Sequence, residues 1–240
     1  MPKALHISII FLIIVAIGFT AVMLILRYDE KGEENMPFDI SKISIISSVN
    51  GQDVEDKENL WNKSVGQDND IYIYIEKNNN YKKTETIEKI VLNNFKINEK
   101  PQKGKLIIYK PSNNEKELFE NIEENKAEEI IFTGEQLTKT KELKISNQGG
   151  IVAFRLANEN IGKYVSNDNE IDYKDLLKKI NVKEEDIKLD ISFDVTIILS
   201  GSKQFKSTIN LGLPAEGVVE SGKSSVEFMG KDFIFKRIEN

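Results

Sequence analysis

Leu189–Leu213 reads LDISFDVTIILSGSKQFKSTINLGL. Leu189, Ile191, Phe193, Val195, Ile197 and Leu199 alternate with Asp190, Ser192, Asp194 and Thr196. After Ser200–Lys203, Phe205, Ser207, Ile209, Leu211 and Leu213 alternate with Lys206, Thr208 and Asn210. Strand side chains point to opposite faces with a period of two. Two such runs around a Gly/Ser turn predict a long antiparallel hairpin, with one face in a core and the other in water.

Shorter runs of the same kind surround it. Ile43–Val49 places Ile43, Ile45 and Val49 on one face, and Ile71–Ile75 (IYIYI) is aliphatic on one face and tyrosine on the other. Leu106–Tyr109, Glu129–Thr133, Leu143–Ile145, Ile151–Ala157, Val226–Met229 and Phe233–Ile238 read as strands. Thr86–Ile97 has apolar residues at helical spacing but the β-branched content of a strand. Glu115–Glu129, with Leu118, Phe119 and Ile122 as its apolar stripe, reads as a short surface helix. Asp172–Ile180 reads as a helix, with Asp172 as N-cap and Lys178 and Lys179 in the last turn. About ten short strands and one or two helices predict a mainly β fold, an antiparallel β-sandwich.

The N-terminus is of another kind. Ile7–Leu26 (ISIIFLIIVAIGFTAVMLIL) holds no charged side chain. A helix of that length spans the ~30 Å hydrocarbon core of a bilayer. Residues 1–27 therefore read as a transmembrane signal-anchor helix, 28–38 as a polar juxtamembrane linker and 39–240 as a β-rich soluble domain. A second division of that domain near residue 140 has no linker composition to mark it. Ala16-Ile17-Gly18 resembles a cleavage site, but cleavage there would leave an apolar new terminus, so the expected anchor is uncleaved. Tyr28–Pro37 reaches only about 30–35 Å when extended, which keeps the domain close to the membrane. The expected topology is single-pass, with a cytoplasmic N-terminus and an extracytoplasmic domain. Ala16 and Thr20 offer a small-residue spacing for helix packing.

Composition removes several function classes. Residues 1–27 hold Lys3 and Arg27 and no acid, so 31 of the 33 basic and all 39 acidic residues fall in the remainder, a net charge of −8. That disfavours nucleic acid as a partner. With no cysteine there is no disulfide framework, thiol nucleophile or thiolate site. The single histidine, His6, lies at the edge of the apolar stretch, which leaves the soluble domain without Ser-His-Asp catalysis or ordinary zinc ligation. The absence of disulfides in an outside domain points to a bacterial cell envelope.

Four motifs bear on function. Gly217–Ser224 (GVVESGKS) matches the phosphate-loop pattern letter for letter, but it follows an amphipathic hairpin and precedes strands, so it reads as a Gly/Ser loop and not a nucleotide site. Asp168–Asp172 clusters oxygen ligands, yet Tyr173 and Lys179 stand where a calcium loop needs Gly and Glu, so it reads as a polar loop. Arg155 shares strand parity with Ile151, Ala153 and Ala157, and reads as a cross-strand ion pair rather than a ligand carboxylate's partner. Trp61, Tyr72 and Tyr74 read as packing aromatics before a glycan- or peptide-binding patch. No catalytic, cofactor-binding or metal-ligating residue is nominated, and no cofactor is expected. The expected partners are the lipid bilayer, through Ile7–Leu26, and another envelope protein or a glycan. The reading is a non-catalytic binding or scaffold module. The alternatives are a carboxylate-dependent hydrolase of envelope polysaccharide and an accessory subunit of a membrane complex.

Overall fold

The structure, a computed structural model, describes residues 12–21, 36–54, 61–112, 116–135, 143–166 and 171–238. It is mainly β, with two sheets and few helices. The strands are β1 (Phe38–Asp53), β2 (Trp61–Lys77), β3 (Ile87–Glu99), β4 (Lys105–Tyr109), β5 (Ile130–Glu135), β6 (Lys144–Ser146), β7 (Gly150–Ser166), β8 (Leu189–Leu199), β9 (Gln204–Leu213), β10 (Lys223–Met229) and β11 (Lys236–Ile238). One sheet has the order β10-β1-β2-β7-β4, the other β11-β9-β8-β3-β5-β6. Each draws strands from both sides of residue 140. All neighbours are antiparallel except β5 and β6.

The sheets enclose one core. Ile43, Ile45, Ile71, Ile73, Val152 and Phe154 face it from the first sheet, and Ile90, Leu92, Phe193, Val195, Ile197 and Ile209 from the second. Phe154 and Phe193 meet edge to face across the layers at 5.0 Å. The hairpin is present as β8 and β9, with Phe193 opposite Ile209 and Ile197 opposite Phe205. Its second face departs from the expectation: Ser192, Asp194 and Thr196 are buried as well. β8 lies between β9 and β3, and Lys206 and Thr208 from one side and Asn94 from the other bond to Asp194, while Ser192 donates to Asn98.

β1, β2 and β7 have 16, 17 and 17 residues, far longer than the runs that announce them. Between their apolar halves the inward positions are polar: Ser47, Gln67, Asn69 and Asn158. Ser47 Oγ donates to Asn69 Oδ1 at 2.6 Å, Gln67 Nε2 to the same oxygen at 3.0 Å, and Asn69 Nδ2 to the Leu156 carbonyl at 3.0 Å. Beyond this belt the strands run on under a second, smaller core. There Val49, Val65, Ile161 and Tyr164 meet Leu176, Leu177, Val182, Ile187, Val218 and Val219.

The helices of that end are short. A helical segment, α1, covers residues 12–21 near the N-terminus; α2 is Leu176–Lys179, α3 Glu184–Ile187 and α4 Glu216–Ser221. The helix read over Asp172–Ile180 is thus shortened. Asp175 is its N-cap, and Asp172 instead accepts the Lys174 N–H at 2.9 Å. The helix expected over Glu115–Glu129 is absent among the described residues. A three-residue turn, Glu123–Asn125, replaces it, because only Phe119 of the stripe is buried while Leu118 and Ile122 stay half exposed. Thr86–Ile97 resolves as strand. Met36 and Phe38, at the end of the expected linker, are fully buried in the main core.

All of α1 is exposed, Leu12 at 69% and Phe19 at 67%. Among the described residues no helix is long and apolar enough to cross a membrane. The rest of Ile7–Leu26 lies outside them.

A candidate binding groove

The sandwich is open along one side, between β4 at the edge of the first sheet and β3 in the second. A cleft of about 850 Å³ lies there. Its floor is apolar: Phe95 and Ile97 from β3, Leu106 and Ile108 from β4, and Leu156 from β7. Glu123, Lys126, Ala127 and Glu128 form the second wall.

A bulge shapes the β3 wall. Asn93 pairs with Asp194 and Lys96 with Ser192, so Asn94 and Phe95 together oppose Phe193 alone. Asn94 sits at φ 54°, a left-handed conformation that asparagine tolerates better than most residues. Its Nδ2 donates to Asp194 Oδ2 at 2.7 Å. Asp194 also accepts from Thr208 Oγ1 at 2.6 Å and pairs with Lys206 Nζ at 2.7 Å. Burial works to raise its pKa, but the hydrogen bonds from Lys206, Thr208 and Asn94 outweigh it and hold the carboxyl below its ordinary range. The bulge turns Phe95 into the cleft's base, 5.2 Å from Phe154 and 5.7 Å from Phe193.

The other wall is held from the opposite face of the first sheet. Arg155 stands directly across from Asp70 in register and grips it with two bonds, Nε to Oδ1 at 2.6 Å and Nη2 to Oδ2 at 3.0 Å. Its third nitrogen reaches Asn121 Oδ1 at 3.1 Å and Asp68 Oδ2 at 3.2 Å, and Asn121 Nδ2 returns to Asp68 Oδ1 at 2.9 Å. Phe119 lies under the guanidinium at 5.0 Å and edge-on to Tyr72 at 6.5 Å. Burial raises the pKa of Asp70 and Arg155 only partly offsets this. Burial opposes the charge of Arg155, yet the bond to Asp70 and the nearby carboxylates hold its pKa above the ordinary value. The network pins residues 119–121. The chain continues from there into the groove wall, where the Lys110 N–H donates to the Asn125 carbonyl at 2.8 Å and the Ala127 N–H to the Ile108 carbonyl at 3.0 Å. Tyr109, buried beside it, donates its hydroxyl to Glu159 at 2.6 Å, and burial together with that bond pushes its pKa far up.

The motifs of the sequence fall in different places. Arg155 makes the cross-strand ion pair its position suggested, but on the outer face of the sheet: Ile151 on the same parity is 51% exposed, and Val152 and Phe154 face the core. Tyr72 and Tyr74 share that outer face, Tyr74 beneath Lys42 at 4.7 Å. The Trp61 backbone pairs with Ser166 at the far end of β2, eleven residues or about 36 Å along the strand from the Tyr72 backbone. Gly217–Ser224 is a helix end rather than a loop: α4 precedes the Gly-Lys-Ser, Gly222 caps it at φ 72°, and Lys223 opens β10. A phosphate loop needs the reverse order, strand and then helix. Asp168–Glu170 lie outside the described residues. The groove itself had no motif. Its one trace in the sequence was the Asn93-Asn94 pair, two poor strand formers inside an apolar run.

No protein-family model, curated protein or solved structure matches the chain.

Proposed function

We propose that the chain is a single-pass membrane-anchored protein of a bacterial cell envelope, with Ile7–Leu26 in the bilayer, the N-terminus cytoplasmic and the β-domain extracytoplasmic. The domain is a non-catalytic binding module whose groove between β3 and β4 takes an extended, apolar-rich segment of another envelope protein. The observation that carries the binding reading is the groove's construction. A bulge with a left-handed Asn94 presents Phe95 at its base, and a saturated charge network fixes its far wall. Apolar clefts ringed by a few polar groups are where proteins bind ligands. The uncharged length of Ile7–Leu26 and the exposure of α1 support the anchor. Against the hydrolase alternative, the carboxylates lining the groove, Glu123 and Glu128, come from one wall, and β3 contributes Asn94, Phe95 and Ile97 opposite them; a two-acid hydrolase needs carboxylates on both sides of the bond.

Two experiments test this. Ser202, exposed in the β8–β9 turn, becomes the chain's sole thiol as Ser202→Cys. Labelling of intact cells by a membrane-impermeant maleimide is the expected result; labelling only after lysis overturns the topology. A photo-crosslinking residue at Ile97, at the groove's mouth, is expected to give a discrete protein adduct in cells. The same residue at Ile131, exposed on the neighbouring strand, is expected not to. Equal yields at the two positions overturn the groove as the binding site.

A further inference from the structure

β10 ends the first sheet with one flank unpaired among the described residues. Its register identifies which backbone groups face outward. Ile45 pairs with Val226 and Ser48 with Lys223, and the Val49 N–H donates to the Gly222 carbonyl at 2.8 Å. Antiparallel ladders alternate, so residues 222, 224, 226 and 228 bond to β1. The N–H and C=O groups of Lys223, Ser225, Glu227 and Met229 therefore point to the open edge. Their four side chains are exposed on the outer face. Such an edge is a template for another strand.

We propose that the edge is occupied by β10 of a second copy of this chain, antiparallel, with the two-fold axis through Ser225. Registers centred on Ser225, Val226 or Glu227 pair at least three of the four outward residues with one another, and the charges choose between them. Centred on Ser225, Lys223 of each copy stands directly across from Glu227 of the other. Centred on Val226, Lys223 meets Met229; centred on Glu227, two carboxylates face each other. Opposite charges across a strand pair attract and like charges repel. Lys223 has no ion pair among the described residues, whereas Glu227 already accepts Lys42 at 2.7 Å, so each Glu227 would bridge two cations. In this register Phe228, half covered at the sandwich rim, lies opposite Gly222, where no side chain competes for the space. Ile46, 48% exposed and beside Ser225 in register, flanks the axis on both sides. The Lys223 carbonyl accepts the Ser221 hydroxyl at 2.8 Å and keeps its second lone pair for the partner's Glu227 N–H. The two five-stranded sheets become one continuous sheet of ten.

The absence of cysteine makes the test direct. Full-length Ser225→Cys in native membranes, oxidised with copper phenanthroline, is expected to form a disulfide-linked homodimer. Hydrogen-bonded antiparallel pairs stand about 5.5 Å apart at Cα, within the span of a disulfide. Lys105→Cys, exposed on the opposite edge strand, is the control and is expected to stay monomeric. Adding Lys223→Glu to Ser225→Cys should lower the yield severalfold, and adding Glu227→Lys to that variant should restore it. Ser225→Cys cross-linking no better than the control overturns the proposal, as does a charge swap that fails to rescue or an adduct formed with a different chain. The groove variants leave β10 untouched, so failure of the binding reading is separately visible.

Discussion

Arg155 illustrates what one residue can settle. Its guanidinium is shared among Asp70, Asp68 and Asn121, all largely withdrawn from water, so its removal leaves two carboxylates facing each other without a cation. Breaking a buried pair from one side costs about 3–5 kcal/mol. Arg155→Met is expected to lose about 3 kcal/mol in urea denaturation, because each partner keeps some contact with solvent. It is also expected to loosen residues 119–128 enough to raise their proteolysis. Asp194 gives a pH signature. Its folded-state pKa is depressed, so its contribution is present above the unfolded value, about 3.9, and is lost as pH falls through the folded one. Denaturation midpoints between pH 6 and pH 3 should therefore drop less in Asp194→Asn than in the parent chain, the variant being the less stable at pH 6. In both cases the sequence showed the residue and its strand, but not the partner that decides its role. Arg155 is legible as a cross-strand cation. Asn121, which turns it into a loop clamp, sits in a stretch whose spacing imitates a helix.

The long strands explain what was readable at the level of elements. Alternation announced the apolar halves of β1, β2 and β7 and fell silent where Ser47, Gln67 and Asn69 take inward positions. Periodicity detects hydrophobic burial; it cannot see a polar side chain buried because its neighbours satisfy it. The strands of the hairpin β8–β9 were legible because apolar residues hold every inward position except Ser207, whereas the burial of Ser192, Asp194 and Thr196 on its other face was not. The belt predicts a measurable asymmetry. Asn69→Ala takes a partner from the Leu156 carbonyl and from Ser47, leaves Gln67 only its long bond to the Pro214 carbonyl, and should cost about 2–3 kcal/mol, since unsatisfied buried groups forfeit their desolvation. Replacing Ser47, Gln67 and Asn69 together with apolar residues of similar size should cost much less. If the triple variant is the less stable of the two, the belt is not held by mutual satisfaction.

At the scale of the molecule, three strands carry two unequal cores, a large one between the sheets and a small one beneath α2, α3 and α4. The helices there are four, four and six residues long, too short to persist without packing. Native-state hydrogen exchange should find amides of 176–187 and 216–222 opening well before those of β2 and β8. Uniform protection across both regions would mean a single cooperative unit. The two-sheet architecture followed from the strand count, whereas the second core did not. Its apolar residues are spread over six separate segments and form no run that a pattern could register.

The placement of β1 between β2 and β10 bears on how the chain comes to be folded. The strand formed first meets its nearer neighbour within a few tens of residues, but its other flank is closed only by β10, which follows every other strand of that sheet. Contacts so distant along the chain are entropically costly and slow to form. While the chain is being made, β1 waits with one row of amides bare. Whatever delays the arrival of β10 therefore lengthens the time that row stays open to a wrong strand.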